Sequence, residues 1–293
     1  EAVAEHYVKL ANPNTPEKTY MRRSLLPSLG AALALNLRER ERAALFEIGR
    51  VYLKPDQPGA GGRWLPAEPR RLAIALAGPR EPESWLAADR EPLSFFDLKG
   101  IIETLVARLG LSDRLAYTPL TDDERFHPGR AAALLLAPGE ETPRTDTPAS
   151  TSLRVGVLGE LHPAGRARLG LSVPRAAMAE LDLDALFAAA RPPSFTAISR
   201  FPATVQDLSI VAPIDVPAAR VEALIRRGAG PLLEALTLFD VYSGPQVGDG
   251  RRSLTYHLTF RASDRTLSDD DLARVRKKII TGLERELGAT IRA

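Results

Sequence analysis

Between Thr204 and Ala293 the hydrophobic period switches in a set order, and few folds accommodate that order. "TVQDLSIVA" alternates with period two and predicts a strand. A helical stretch follows, starting near Val216–Pro217 with Asp215 as N-cap and ending at Gly228. "ALTLFDVY" and "SLTYHLTF" predict two more strands. "SDDDLARVRKKIITGLERELG" predicts a second helix. Ser268 caps it, the aspartates after Ser268 suit the positive end of the dipole, and Gly288 suits its finish. Leu272, Val275, Ile279, Leu283 and Leu287 recur on one face of that helix. "ATIRA" supplies a last strand. The order βαββαβ is that of the ferredoxin-like split fold, with both helices on one sheet face and the other face open.

Side chains alternate across a strand, so the open face can be populated. In "SLTYHLTF", Leu254, Tyr256, Leu258 and Phe260 form the core set, and Ser253, Thr255, His257 and Thr259 face outward. In "ALTLFDVY", strict alternation puts Phe239 and Val241 on one side and Leu238, Asp240 and Tyr242 on the other. An unpaired carboxylate is costly to bury, so Asp240 and Tyr242 are expected outward, with Ser253 across the hairpin from Tyr242. A ring, a carboxylate and a hydroxyl together suit an unstacked nucleobase, which the ring can stack and the carboxylate can accept from. Arg251, Arg252, Arg274, Lys277 and Lys278 are candidates for phosphate contacts. The same residues also fit an ordinary sheet edge beside a solvated charged helix, and periodicity alone favours that plainer reading. The aromatic Gly-Phe signature of an RNA recognition motif is absent.

Upstream, "AAARPPSFTAISRFP" (188–202) marks a domain boundary, because adjacent prolines end a helix and favour an extended chain. The first domain mixes element types. "EHYVKLANP" predicts a strand running into a turn, and Pro27 to Arg42 a helix with Leu29, Leu33 and Leu37 on one side. Residues 43–53 and 70–78 predict apolar strands. Residues 94–110 predict an amphipathic helix, with Ile101, Ile102, Leu105, Val106 and Leu109 at helical spacing and Gly110 as its cap. "RAAALLLA" and "LRVGVLGELHP" predict a strand pair, and "AELDLDALFAAA" a strand and short helix. The polar stretch 136–152 between the paired strands predicts a long exposed hairpin loop. The expected class is α+β with an antiparallel sheet.

Composition narrows the chemistry. With no cysteine among 293 residues, disulfides and thiolate metal sites are excluded. His6, His127, His162 and His257 lie far apart, without the short spacing of a zinc site, and no metal site is expected. No apolar run approaches the roughly 18 residues that span a membrane, and no signal peptide opens the chain, so a cytoplasmic protein without membrane contact is expected. The net charge is +2, and the surplus lies in 197–293, where Lys and Arg outnumber Asp and Glu 14 to 12.

Taken together, "NPNTPEKTYMRRSLLPSLGAALALN", "LFEIGRVY", "FFDLKGIIETL", "FHPGRAA", "VGVLGELHP", "SRFPATVQDLSIV", "LFDVYSGP", "RRSLTYHLTF" and "RTLSDDDL" are specific in their order and spacing. The chain resembles the C-terminal part of the β subunit of bacterial phenylalanyl-tRNA synthetase. The resemblance implies a class II synthetase-like domain over 1–190 that has lost its active site, followed by a ferredoxin-fold anticodon-binding domain over 197–293. It implies that Glu1 falls inside the first of these, so that the chain is a portion of a longer subunit. A working class II site needs an arginine and an acid on the strand of its second motif; the matching residues here read Tyr52-Leu53-Lys54-Pro55. No catalytic residue or cofactor is therefore expected on this chain, and ATP and Mg²⁺ are expected on a catalytic α subunit. The implied partners are that α subunit, in a heterotetramer of two α and two β chains, and tRNA-Phe. Asp240, Tyr242 and Ser253 match the family positions for the first anticodon base, read as guanine if Asp240 accepts from its N1 and N2 hydrogens. "FHPGRAA" and "GELHP" read as turns at strand ends with His127 and His162 bonded locally. Two rival readings remain: a stand-alone enzyme using Glu47, Arg50 and His127, and a protein-interaction module without direct tRNA contact.

Overall fold

Apolar runs that are buried on both sides set the first sheet. In the computed structural model, which describes residues 4–55, 65–86, 89–137, 152–192, 195 and 199–292, six strands pair antiparallel. They are β1 (Ala43–Arg50), β2 (Arg70–Ala77), β3 (Leu115–Pro119), β4 (Phe126–Leu136), β5 (Leu153–Leu161) and β6 (Ala176–Asp182), in the order β1-β2-β6-β5-β4-β3. Strand β2 shows why it reads as an unbroken apolar run. Leu72, Ile74 and Leu76 pack on one face with helix α2 (Phe95–Arg108), while Ala73, Ala75 and Ala77 meet α1 (Leu26–Asn36) on the other. A short helix, α3 (Pro163–Arg168), follows β5, and α4 (Leu183–Ala189) adds Leu183 and Leu186 to the α2 side. These elements lie in one compact unit, Glu1–Ser194, and the remainder in a second, Phe195–Ala293.

Several expectations need correction. Helix α1 stops at Asn36 rather than Arg42. "EHYVKLANP" forms no strand: it has a 3-10 turn at Ala4–His6 and one isolated bridge between Lys9 and Tyr20. The buried stripe of α2 is Leu98, Ile102 and Val106, and Ile101 is 43% exposed. Strand β3 and helix α3 had no counterpart in the sequence reading. The loop expected over 136–152 falls mostly on 138–151, outside the described residues, and so does much of the Pro-Pro boundary.

The second unit has the predicted βαββαβ order. Strands β7 (Thr204–Pro213), β8 (Leu233–Tyr242), β9 (Arg251–Phe260) and β10 (Thr290–Arg292) form an antiparallel sheet in the order β10-β7-β9-β8. Helices α5 (Ala218–Ala229) and α6 (Asp269–Leu287) both cover one face. Ser268 caps α6 with a reciprocal box to Asp271, Gly288 ends it in the left-handed region at φ 58°, and all five residues of its predicted stripe are buried. Asp215 does not cap α5; Pro217 holds the N-cap position, without a side-chain bond. The fold is α+β, with an antiparallel sheet in each unit.

Candidate nucleic-acid interface

The sheet face away from α5 and α6 carries the predicted residues, but a bulge, not simple alternation, puts them there. In β8, Leu236 pairs with Leu258 and Leu238 with Tyr256, and both leucines pack into the helix-side core. The register then shifts between Leu238 and Asp240, so that Asp240 pairs with Thr255, Val241 with Leu254 and Tyr242 with Ser253. A bulge sets two residues of one strand against one of its partner. Strict alternation put Leu238 with Asp240 and Tyr242; the bulge instead buries the leucine and keeps the carboxylate and the ring on the open face. Asp240 is exposed and Tyr242 half-buried, two residues apart on an edge strand.

The same bulge brings out a residue that alternation assigned to the Val241 side. Phe239 is 56% exposed and meets the His257 ring edge-on, with centroids 6.0 Å apart. His257 Nδ1 lies 2.6 Å from Asp207 Oδ1 on the neighbouring β7. The available signal was the conflict itself. Leu238 and Asp240 cannot share one face comfortably, so an irregularity had to fall between them.

Ser253 is where it was expected in register and not in exposure. It pairs with Tyr242 across the hairpin, yet is only 2% exposed. The segment after β8 accounts for this. Gln246 Oε1 accepts a bond of 2.8 Å from Arg292 on β10, at the opposite edge of the sheet. To reach it, residues 243–248 fold over this end of the open face, where Val247, Val211 and Ser253 are all buried. Tyr242 leans on the same segment: a Cβ at Gly244 would stand 2.4 Å from its hydroxyl.

The five candidate phosphate contacts do not gather around Tyr242. Arg251 donates to the carbonyls of Val211 and Gly288 at 3.0 and 3.1 Å. Arg252 has the parity of Leu254, on the helix side, and donates to the Val216 carbonyl at 2.6 Å. Arg274, Lys277 and Lys278 stand on α6, which covers the other face of the sheet. Their expected proximity to the open face is therefore corrected: two arginines tie backbone together, and the α6 cations face away.

In the first unit, Leu53 packs against the core beside α1, and its backbone pairs with Ala67. An apolar side chain there does not fit the grip on an ATP phosphate. Glu47 accepts from Arg22 at 2.6 Å, Arg50 lies 3.6 Å from Glu68, and His127 Nδ1 accepts from the Gly129 N–H. The three residues of the stand-alone-enzyme reading thus bond to three different partners. His162 Nδ1 likewise accepts from the Ala164 N–H, the local bond expected of it. "FHPGRAA" opens β4, with a register irregularity between Phe126 and Ala131 at that end of the strand. Among the described residues, no group of three His, Cys, Asp or Glu is placed to hold a metal ion, and no helix is long and apolar enough to cross a membrane.

Comparison with known proteins adds family information. Residues 1–183 match the phenylalanyl tRNA synthetase beta chain CLM domain, and residues 199–292 the ferredoxin-fold anticodon binding domain. The phenylalanine–tRNA ligase beta subunit of Symbiobacterium thermophilum is 38% identical over 97% of this chain and 29% of its own length. That of Moorella thermoacetica is 38% identical over 97% of this chain and 33% of its own. The chain thus spans about a third of the length of the curated relatives it matches. Among solved structures, a pyrrolysyl tRNA synthetase from Desulfitobacterium hafniense aligns with 64% of this chain and 52% of its own, at a TM-score of 0.42 and 14% identity.

Proposed function

The chain belongs to the phenylalanyl-tRNA synthetase beta chain family, and from that premise we propose that it is a non-catalytic portion of a phenylalanine–tRNA ligase whose C-terminal unit holds the anticodon of tRNA-Phe. The observation that carries this reading is the pair Asp240 and Tyr242, turned by a bulge onto the one sheet face that the helices leave open. The ring stacks the first anticodon base, and the carboxylate accepts from the N1 and N2 hydrogens of guanine. Ser253, paired with Tyr242 across the hairpin, is buried under the 243–248 segment and serves the base only when that segment lifts. Phenylalanine activation with ATP and Mg²⁺ belongs to an α subunit, in keeping with the apolar Leu53 where an arginine would be needed. The first unit docks that subunit. In support, its edge strand β1 exposes Phe46 and Ile48, at 72% and 56%, and large apolar side chains on an open edge invite a partner. The assembly is a heterotetramer of two α and two β chains in the cytoplasm.

The test is the affinity of the intact ligase for tRNA-Phe, measured at constant salt. Tyr242→Ala is expected to weaken binding by about 1–3 kcal/mol, the worth of one stacked base. An unchanged dissociation constant overturns the stacking role and favours a sheet face that binds protein instead.

A further inference from the structure

The helix side of the second unit carries a surface that the anticodon reading does not use. Between α5 and α6 runs a groove of about 480 Å³ lined by Arg227, Arg274, Lys277, Lys278, Thr281 and Arg285. Five of these residues are cationic, and four of the five sit on α6 between positions 274 and 285. Arg274, the pair Lys277 and Lys278, Thr281 and Arg285 follow one another at three or four residues, so successive turns, about 5.4 Å apart, each present a charge or the Thr281 hydroxyl. The compensating carboxylates are few. Asp271 takes Arg274 at 2.7 Å, and Glu286 is shared by Arg227 and Arg285. Lys277 and Lys278 are exposed and have no ion-pair partner among the described residues. The floor is low as well. Gly228 lets the helices approach so closely that a Cβ there would lie 3.0 Å from Ile279 Cα, and a Cβ at Gly282 would meet nothing within 4 Å.

We propose that this groove is a second RNA-binding surface, which holds a sugar-phosphate strand through Lys277, Lys278 and the flanking arginines without reading its bases. Long cationic side chains over a shallow, glycine-floored channel suit a linear polyanion. They bind phosphates and not base edges, so the contribution is independent of sequence and sensitive to salt. Thr281 supplies a hydroxyl within reach of a ribose. The choice of RNA over an acidic polypeptide rests on the match of this same unit to an anticodon-binding family, whereas the anion site itself stands without Tyr242, since the two surfaces lie on opposite faces of the sheet.

The experiment compares the intact ligase with Lys277→Glu/Lys278→Glu and Tyr242→Ala variants, using a tRNA-Phe transcript, a short oligouridylate and sodium polyglutamate across a salt series. Both lysines are exposed, and thermal unfolding, recorded in parallel, is expected to be unchanged. The double variant should bind both RNAs about tenfold or more weakly at low salt. Its slope of log affinity against log salt should be shallower by about 1.4, from about 0.7 for each of two single-strand phosphates. Tyr242→Ala should leave that slope unchanged, so a failed stacking role appears as a silent tyrosine variant beside an active lysine variant. An unaltered RNA affinity and slope in the double variant overturns the proposal. So does a loss of polyglutamate binding with RNA binding intact, which assigns the groove to an acidic polypeptide.

Discussion

Asp97 shows how much one side chain can organise. Its Oδ2 accepts from both the backbone N–H and the hydroxyl of Ser94 at 2.8 Å, and its Oδ1 accepts from Arg80 Nε at 2.8 Å. One carboxylate thus caps α2 and anchors the turn that follows β2. The Arg80 guanidinium, aided by Ser94, holds its pKa down at about 2, from an ordinary 3.8. The sign of the linkage follows. Because the folded state binds the proton less readily than the unfolded chain, Asp97 contributes stability above pH 4, and that contribution disappears as pH falls through about 2. Asp97→Asn is therefore expected to destabilise the protein near neutrality, and the gap to wild type should close between pH 4 and pH 2. Urea midpoints measured across that window check it, and a gap independent of pH would show that Asp97 acts by packing alone. The residue scale is also where the sequence was most legible. Asp240 is placed outward by its charge, because a lone carboxylate resists burial whatever the strand register, and Tyr242 follows it by alternation. Ser253 was not legible in the same way, since the residues that cover it come from a loop whose path depends on Arg292, 46 positions away.

At the scale of elements, helices with strong end signals were read closely and irregular segments were not. Helix α6 carries its cap, its acidic first turn, its apolar stripe and its terminal glycine within the segment itself, and each was realised. Helix α5 has no such start: Asp215, two residues before the N-cap, has a capping residue's chemistry but not its position. The bulge in β8 was invisible to a period-two count because such a count assumes one residue opposite one. Packing between elements supplies a sharper test. Gly228 in α5 sits against the backbone of Ile279 in α6, with both Cα and N about 3 Å from where a Cβ would lie. Backbone cannot step aside as a flexible side chain can. Gly228→Val is expected to cost about 1–3 kcal/mol by forcing the helices apart, read as a lowered denaturant midpoint. A midpoint equal to that of wild type would mean that the layer yields without cost.

At the scale of the molecule, each unit closes its own core: one around both faces of the six-stranded sheet, the other between the four-stranded sheet and its two helices. A unit with its own buried core has what it needs for independent folding. Residues 199–292 expressed alone are expected to unfold in one cooperative transition, with coincident far-ultraviolet and near-ultraviolet circular dichroism changes; a broad or non-coincident transition would show dependence on the rest of the chain. The βαββαβ order of this unit, the antiparallel α+β character of the first and the outward charge of Asp240 were determined by the sequence alone. They depend on local periods, caps and the cost of burying charge, and all of these act over a few residues. Only the tertiary structure decided that Arg251 and Arg252 are tied to backbone carbonyls and that Ser253 lies under a folded segment. Those outcomes depend on where distant segments meet, and one-dimensional periodicity carries no information about which far-off group a residue will find.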